Sequence, residues 1–123
     1  MFELKIISHF AAAHQLKMVT EKCENLHGHN WKIEVFVKSE TLNSAQVVMD
    51  FGEIKRQLSV IIDQLDHQML NELDCFKGKN PSSEVIAMHI AHTLQKAILA
   101  PGVRVSRVTA WESDNAGATY YPQ

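Results

Sequence analysis

Apolar and polar residues alternate at the start of the chain, where Phe2, Leu4 and Ile6 are separated by Glu3 and Lys5. A period of two marks a half-buried strand. It predicts a first strand running toward His14, with Ala11 to Ala13 leaving room for close approach. The polar stretch from Lys17 to Asn25 reads as a loop. A second strand follows, in which Trp31, Ile33, Val35 and Val37 alternate with Lys32, Glu34 and Lys38, one face buried and the other mostly wet. Ser39 to Ala45 is a turn region, and Val47-Val48-Met49 a short extended stretch ending at Asp50.

The period then changes. Phe51, Ile54, Leu58, Ile61 and Leu65 recur at helical spacing and predict a helix over 51–65. Asp50 is placed to cap it, with Glu53 completing a capping-box-like pair. Residues 71–80 read as a connecting loop punctuated by Gly78. Asn80-Pro81-Ser82-Ser83-Glu84 offers a second helix start, with a choice of polar caps. Ile86, Ile90, Leu94, Ala97 and Ile98 give that helix its buried stripe, and Pro101-Gly102 ends it. Val103 to Glu112 is a third strand whose apolar phase shifts between Val105 and Val108, which predicts a bulge or strong twist. Asp114 to Gly117 is a tight turn and Ala118 to Tyr121 a fourth strand. The expected order is β-β-α-α-β-β, an α+β domain spanning 1–123 without repeat or linker.

Composition narrows the class. At 123 residues, 46% hydrophobic and 21% charged, the chain suits one globular domain. A formal charge of −2 argues against general nucleic-acid binding, which needs a concentrated basic surface, but leaves room for a phosphorylated small molecule. No apolar run approaches the roughly 20 residues of a membrane span. The first residues lack a signal-peptide pattern, so a cytoplasmic location is expected, with Cys23 and Cys75 as reduced thiols.

The chemistry concentrates near the N-terminus. Cys23 stands four residues ahead of His27-Gly28-His29, and His14 lies upstream. Residues two apart on a strand share a face, so His27 and His29 can converge on one ion, and His14 from a neighbouring strand makes a third ligand. Three protein ligands leave a tetrahedral position open, as in catalytic zinc sites, although imidazoles also suit iron or nickel. Three polar strand residues with no shared role is the plainer alternative. Gly28 fits a close approach of backbone or ligand. Cys23 is either an inert buried thiol or, between Lys22 and a dication, an activated thiolate.

Asp66-His67 is either a helix end or a proton relay in which the carboxylate orients the imidazole. Glu112, ending an apolar strand, is either the first solvent residue or a carboxylate accepting two parallel hydrogen bonds from an N–H and an adjacent amino group, as a pterin or guanine edge presents them. Glu84 reads first as an acid favoured by a helix N-terminus. His89 and His92 read as structural or surface residues, and His9 has no assignment.

Together these pieces resemble the 6-pyruvoyltetrahydropterin synthase / 6-carboxytetrahydropterin synthase family. The matching segments are Phe10 to His14, Cys23 to Asn30, Asp50-Phe51, Leu65-Asp66-His67 with Leu70-Asn71, Asn80 to Glu84, and Trp111 to Asp114. Each is weak alone, but their order spans nearly the whole chain. The resemblance implies a tunnelling fold (T-fold): a four-stranded antiparallel sheet with two helices on one face, joined between subunits into a β-barrel, typically in a hexamer. It implies His14, His27 and His29 as zinc ligands, and Cys23, Asp66 and His67 as a catalytic triad assembled across an interface. It further implies Glu112 as the pterin anchor, with Ser82, Ser83 and Glu84 lining the pocket.

The three residues between Cys23 and His27 resemble the bacterial 6-carboxytetrahydropterin synthases of queuosine biosynthesis. The pyruvoyl-forming branch resembles a longer spacing, and a folate-related branch carries glutamate at the cysteine position. The implied reaction converts 7,8-dihydroneopterin triphosphate to 6-carboxy-5,6,7,8-tetrahydropterin with release of acetaldehyde and triphosphate. Pyruvoyl-type activity and a silent pterin-binding paralogue are the alternatives. Lys17 and Lys22 are the cations nearest in sequence for the triphosphate. The ending Tyr120-Tyr121-Pro122-Gln123 and Ser82 in place of a frequent threonine depart from the family's pattern.

Overall fold

The computed structural model describes residues 1–17 and 25–123. The two alternating segments form long strands, β1 (Phe2–His14) and β2 (His27–Ser39), paired antiparallel from Phe2↔Ser39 to His14↔His27. Helix α1 (Phe51–Leu65) follows, then a two-residue strand β3 (Gln68–Met69) and two short 3-10 turns over 70–72 and 74–76. Helix α2 (Ser83–Ala97) leads into β4 (Arg104–Ser113) and β5 (Ala116–Tyr120). The sheet order is β3-β1-β2-β4-β5, antiparallel except for β3, which runs parallel to Ala12–Ala13 of β1. The expected four-stranded antiparallel sheet is thus present with a short fifth strand added, making it mixed.

One sheet face is apolar because of the period-two pattern. Trp31, Ile33, Val35 and Val37 are all fully buried there, under Ile54, Leu58, Ile61 and Leu65 of α1 and Ile86, Ile90 and Leu94 of α2. At roughly 1.5–3 kcal/mol for each fully buried aliphatic side chain, this layer dominates the fold. The opposite face is polar and cross-linked between strands: Lys5 lies 3.6 Å from Glu34, and Arg107 pairs with Glu3 at 3.2 Å while covering the Phe36 ring at 3.8 Å. The expected bulge is real. Phe36 faces Arg107 but Val37 faces Val105, so Ser106 is the extra residue, and both Val105 and Val108 turn inward.

Some local expectations fail. Val47 to Met49 form bends rather than a strand, although Val48 and Met49 are buried. Asp50 precedes α1 but makes no side-chain capping bond, and Glu53 turns instead to Arg56 and Gln57 along the helix. Those outward partners satisfy the Glu53 carboxylate without the reciprocal box. Phe51 is half exposed rather than part of the buried stripe. The second helix start holds: Ser82 Oγ accepts from Val85 N at 3.2 Å. No helix among the described residues is long and apolar enough to cross a membrane.

Candidate metal centre

Strand pairing brings the histidines together. His14 ends β1 directly opposite His27, the first residue of β2, and His29 follows on the same face. His14 is fully buried, the other two half-buried, and one ligand nitrogen from each lies within 4.8 Å of the others. The imidazoles are held by their far nitrogens. His14 Nδ1 lies 2.8 Å from the Pro81 carbonyl, and His27 Nδ1 2.6 Å from the Asn25 carbonyl. A carbonyl only accepts, so both Nδ1 atoms carry the proton, and each ring in its neutral form presents a lone pair at Nε2. Those Nε2 atoms face each other at 3.0 Å. Two lone pairs so close call for a cation between them. Tetrahedral zinc with bonds of about 2.0–2.1 Å holds its nitrogens roughly 3.3 Å apart, so the donor set fits that ion. The backbone carbonyls are the outer partners that fix tautomer and ring orientation in metal sites.

Two walls complete the pocket. Buried Trp31 packs edge-on to His14 and His29, with ring centroids 5.2 and 5.3 Å away. Glu112, near the end of β4, places Oε1 3.5 Å from His14 Nε2 and 3.8 Å from His29 Nε2. Its neighbour Trp111 points to the other face, where the indole N–H donates to Glu34 at 2.6 Å. A Cβ at Gly117, the cross-strand partner of Trp111, would stand 2.7 Å from the indole ring. Gly117 therefore lets Trp111 lie flat and anchor the strand that carries Glu112. A Cβ at Gly28 would meet only Ala12 O, at an ordinary 3.8 Å, so the protein itself does not require glycine between the histidines.

Asp66 and His67 end α1 at the outer edge of β1. Asp66 Oδ1 accepts from Ala11 N at 2.9 Å, and its Oδ2 lies 2.9 Å from His67 Nδ1. The Ala11 N–H chiefly, with help from His67, lowers the Asp66 pKa below the usual carboxylate range. His67 is largely exposed and adopts φ 58°, a left-handed conformation that glycine normally supplies after a helix. Ser83 and Glu84 open α2, the first half-buried and the second exposed. Their segment reaches the centre through Pro81, whose carbonyl holds His14. Cys23 and Lys22 lie outside the described residues. Cys75 is a free thiol whose pKa burial raises. His92 bonds Tyr120 Oη at 2.8 Å, and His89 packs on Phe76 with its pKa lowered by burial, in keeping with structural roles.

The strand-end positions of the three histidines were readable from spacing. Pro81 and Trp31 as supports of His14 were not, because a carbonyl and a packing ring leave no motif.

A two-helix α+β sheet with three imidazoles at one end defines a T-fold protein with a cluster able to hold a metal ion. The chain belongs to the 6-pyruvoyl tetrahydropterin synthase family, whose pattern matches residues 3–123. It is 36% identical over 109 residues to a dihydroneopterin monophosphate aldolase of Pyrococcus furiosus, covering 88% of this chain and 87% of that protein. It is also 36% identical over 117 residues to a 6-carboxy-5,6,7,8-tetrahydropterin synthase of Synechocystis sp., covering 91% and 87%. Its fold matches Caenorhabditis elegans 6-pyruvoyl tetrahydropterin synthase with a TM-score of 0.87 at 24% identity, over 99% of this chain and 96% of the other.

Proposed function

We propose that this protein is a zinc-dependent 6-carboxytetrahydropterin synthase, acting on 7,8-dihydroneopterin triphosphate and releasing acetaldehyde and triphosphate. One observation carries the reading: a carboxylate able to grip a pterin edge, Glu112, stands 3.5 Å from an imidazole of the three-histidine cluster. A ring held there lies with its side chain beside the metal position. Zinc bound by His14, His27 and His29 would supply Lewis acidity to the side-chain hydroxyls. Glu112 accepts two parallel hydrogen bonds from the pterin and so fixes its orientation. Cys23, as thiolate, moves protons between side chain and ring. His67, oriented by Asp66 at 2.9 Å, serves as the second acid/base for triphosphate loss and carbon–carbon cleavage. Ser83 and Glu84 line the pterin pocket, and Lys17 and Lys22 are the cations nearest in sequence to serve the triphosphate.

The Cys23-to-His27 spacing and the relatives bearing the carboxy-synthase name support this branch, and with it a place in queuosine biosynthesis. The whole chain acts as one domain in the cytoplasm, in a homohexamer whose sheets close into a barrel. The aldolase relative, equally identical over a similar span, favours a second reading, cleavage of a dihydroneopterin phosphate side chain without triphosphate elimination.

Incubation with 7,8-dihydroneopterin triphosphate followed by mass spectrometry decides between them. Carboxytetrahydropterin with acetaldehyde supports the first. A pyruvoyl or hydroxymethyl pterin, or no turnover, overturns it. Cys23→Ala should abolish turnover while leaving zinc bound. Full activity in that variant removes the cysteine from the mechanism.

A further inference from the structure

The outer edge of β1 carries a pattern that the proposed chemistry does not use. Backbone groups of alternate strand residues point to the same edge, so Ala11, Ala13, Gln15 and Lys17 face away from β2. The segment from 66 to 80 meets them in turn. Asp66 Oδ1 takes the Ala11 N–H, and His67 N donates to Ala11 O at 2.5 Å. Ala13 lies in the two-residue ladder with β3. There the chain leaves the sheet in its 3-10 turns, and among the described residues no backbone strand follows the edge further.

Two asparagine side chains continue it. Asn71 Oδ1 accepts from Gln15 N at 2.8 Å, and its Nδ2 donates to Gln15 O at 2.8 Å. Asn80 repeats the arrangement on Lys17, accepting from its N–H at 2.9 Å and donating to its carbonyl at 2.7 Å. A carboxamide carries one acceptor oxygen and a two-proton donor. It therefore matches the N–H/C=O pair of a strand residue, as a carboxylate or hydroxyl does not.

We propose that Asn71 and Asn80 are positioning residues of the metal centre, their amides standing in for a strand and fixing the chain that directly follows His14. His14 sits immediately before the first clamped residue, and Asn80 adjoins Pro81, whose carbonyl holds the His14 ring. One short segment thus grips the ligand by its imidazole and its backbone continuation together. The same edge ties Asp66 into register with His14 through Ala11, so the proton-relay pair and the metal share one rail. The proposal rests on the metal-dependent reading of the histidine cluster but not on which pterin reaction follows.

The test is a zinc competition titration against a chromophoric chelator, on the full chain. Asn71→Ala and Asn80→Ala should each weaken zinc binding about tenfold, the scale seen when an outer-shell partner of a metal site is removed. Asn71→Asp and Asn80→Asp keep the acceptor for the N–H and lose the donor to the carbonyl, and should fall between. Thr119→Val removes the Thr109–Thr119 bond of 2.7 Å at the far edge of the sheet and should leave affinity within about twofold, as expected for a distant independent site. Asparagine variants that bind zinc as tightly as the unsubstituted protein overturn the proposal. So does an equal loss in Thr119→Val, which would mark a general loosening of the sheet. Pterin turnover, followed in parallel, separates the two claims: an unsubstituted protein that binds zinc but makes no pterin product overturns the functional reading, while the titration still decides the clamp. An unsubstituted protein that takes up no zinc overturns both.

Discussion

His67 is where local conformational preference and the proposed chemistry disagree. It occupies the position after α1 with φ 58°, where a side chain bearing a Cβ is strained and glycine is not. Strain of this kind gathers at functional sites, and here it aims the imidazole at the Asp66 carboxylate 2.9 Å away. His67→Gly should therefore stabilise the protein by roughly 0.5–1 kcal/mol, since the relieved strain exceeds the worth of an exposed side-chain contact, while turnover is lost. Urea denaturation beside an activity assay checks both. A less stable variant would show that the conformation is held by interactions the glycine also loses, and an active one would remove His67 from the reaction. The clustered histidines differ in kind, because their order comes from two ring nitrogens fixed on carbonyls rather than from backbone strain.

Among the elements, β4 shows how a residue outside the site can set it. The Trp111 ring lies against Gly117 on one side of the strand and donates to Glu34, and the next residue, Glu112, faces the histidines. Gly117→Ala must push the indole aside, at a cost of about 1–3 kcal/mol for overpacking, and should also weaken pterin binding by shifting Glu112. Thermal unfolding and a pterin titration measure the two effects, and an unchanged variant would mean the ring has room that the contact distance denies. Most of these elements were legible in the sequence. The strands β1, β2 and β4 and both helices follow from period alone, and the phase slip at Val105 to Val108 announced the Ser106 bulge. The strand β3 was not legible, since two residues carry no period and its partner, β1, lies over fifty positions earlier. The capping box at Asp50 failed because Glu53 has better partners along its own helix. Asn71 and Asn80 sat in recognised segments, yet their targets at Gln15 and Lys17 are 56 and 63 positions away, beyond anything spacing can show.

At the scale of the whole molecule, the sheet has two unfinished borders. Among the described residues, β5 has no strand on its outer side, and β1 is covered by β3 only at Ala12–Ala13. Open edges of this length invite pairing with another copy, and the polar, salt-bridged face opposite the helices suits a shared water-lined interior. Sedimentation at equilibrium should give a mass near six times the 13.9 kDa chain, and a monomer at working concentration would contradict the barrel. Beneath that assembly lies the claim on which catalysis depends, that three imidazoles and no sulfur bind the metal. X-ray absorption spectroscopy of the zinc-loaded protein tests it most directly. Three imidazole scatterers at about 2.0–2.1 Å with a light oxygen neighbour are expected, and a sulfur shell at about 2.3 Å, or fewer than three imidazoles, would contradict the three-histidine site.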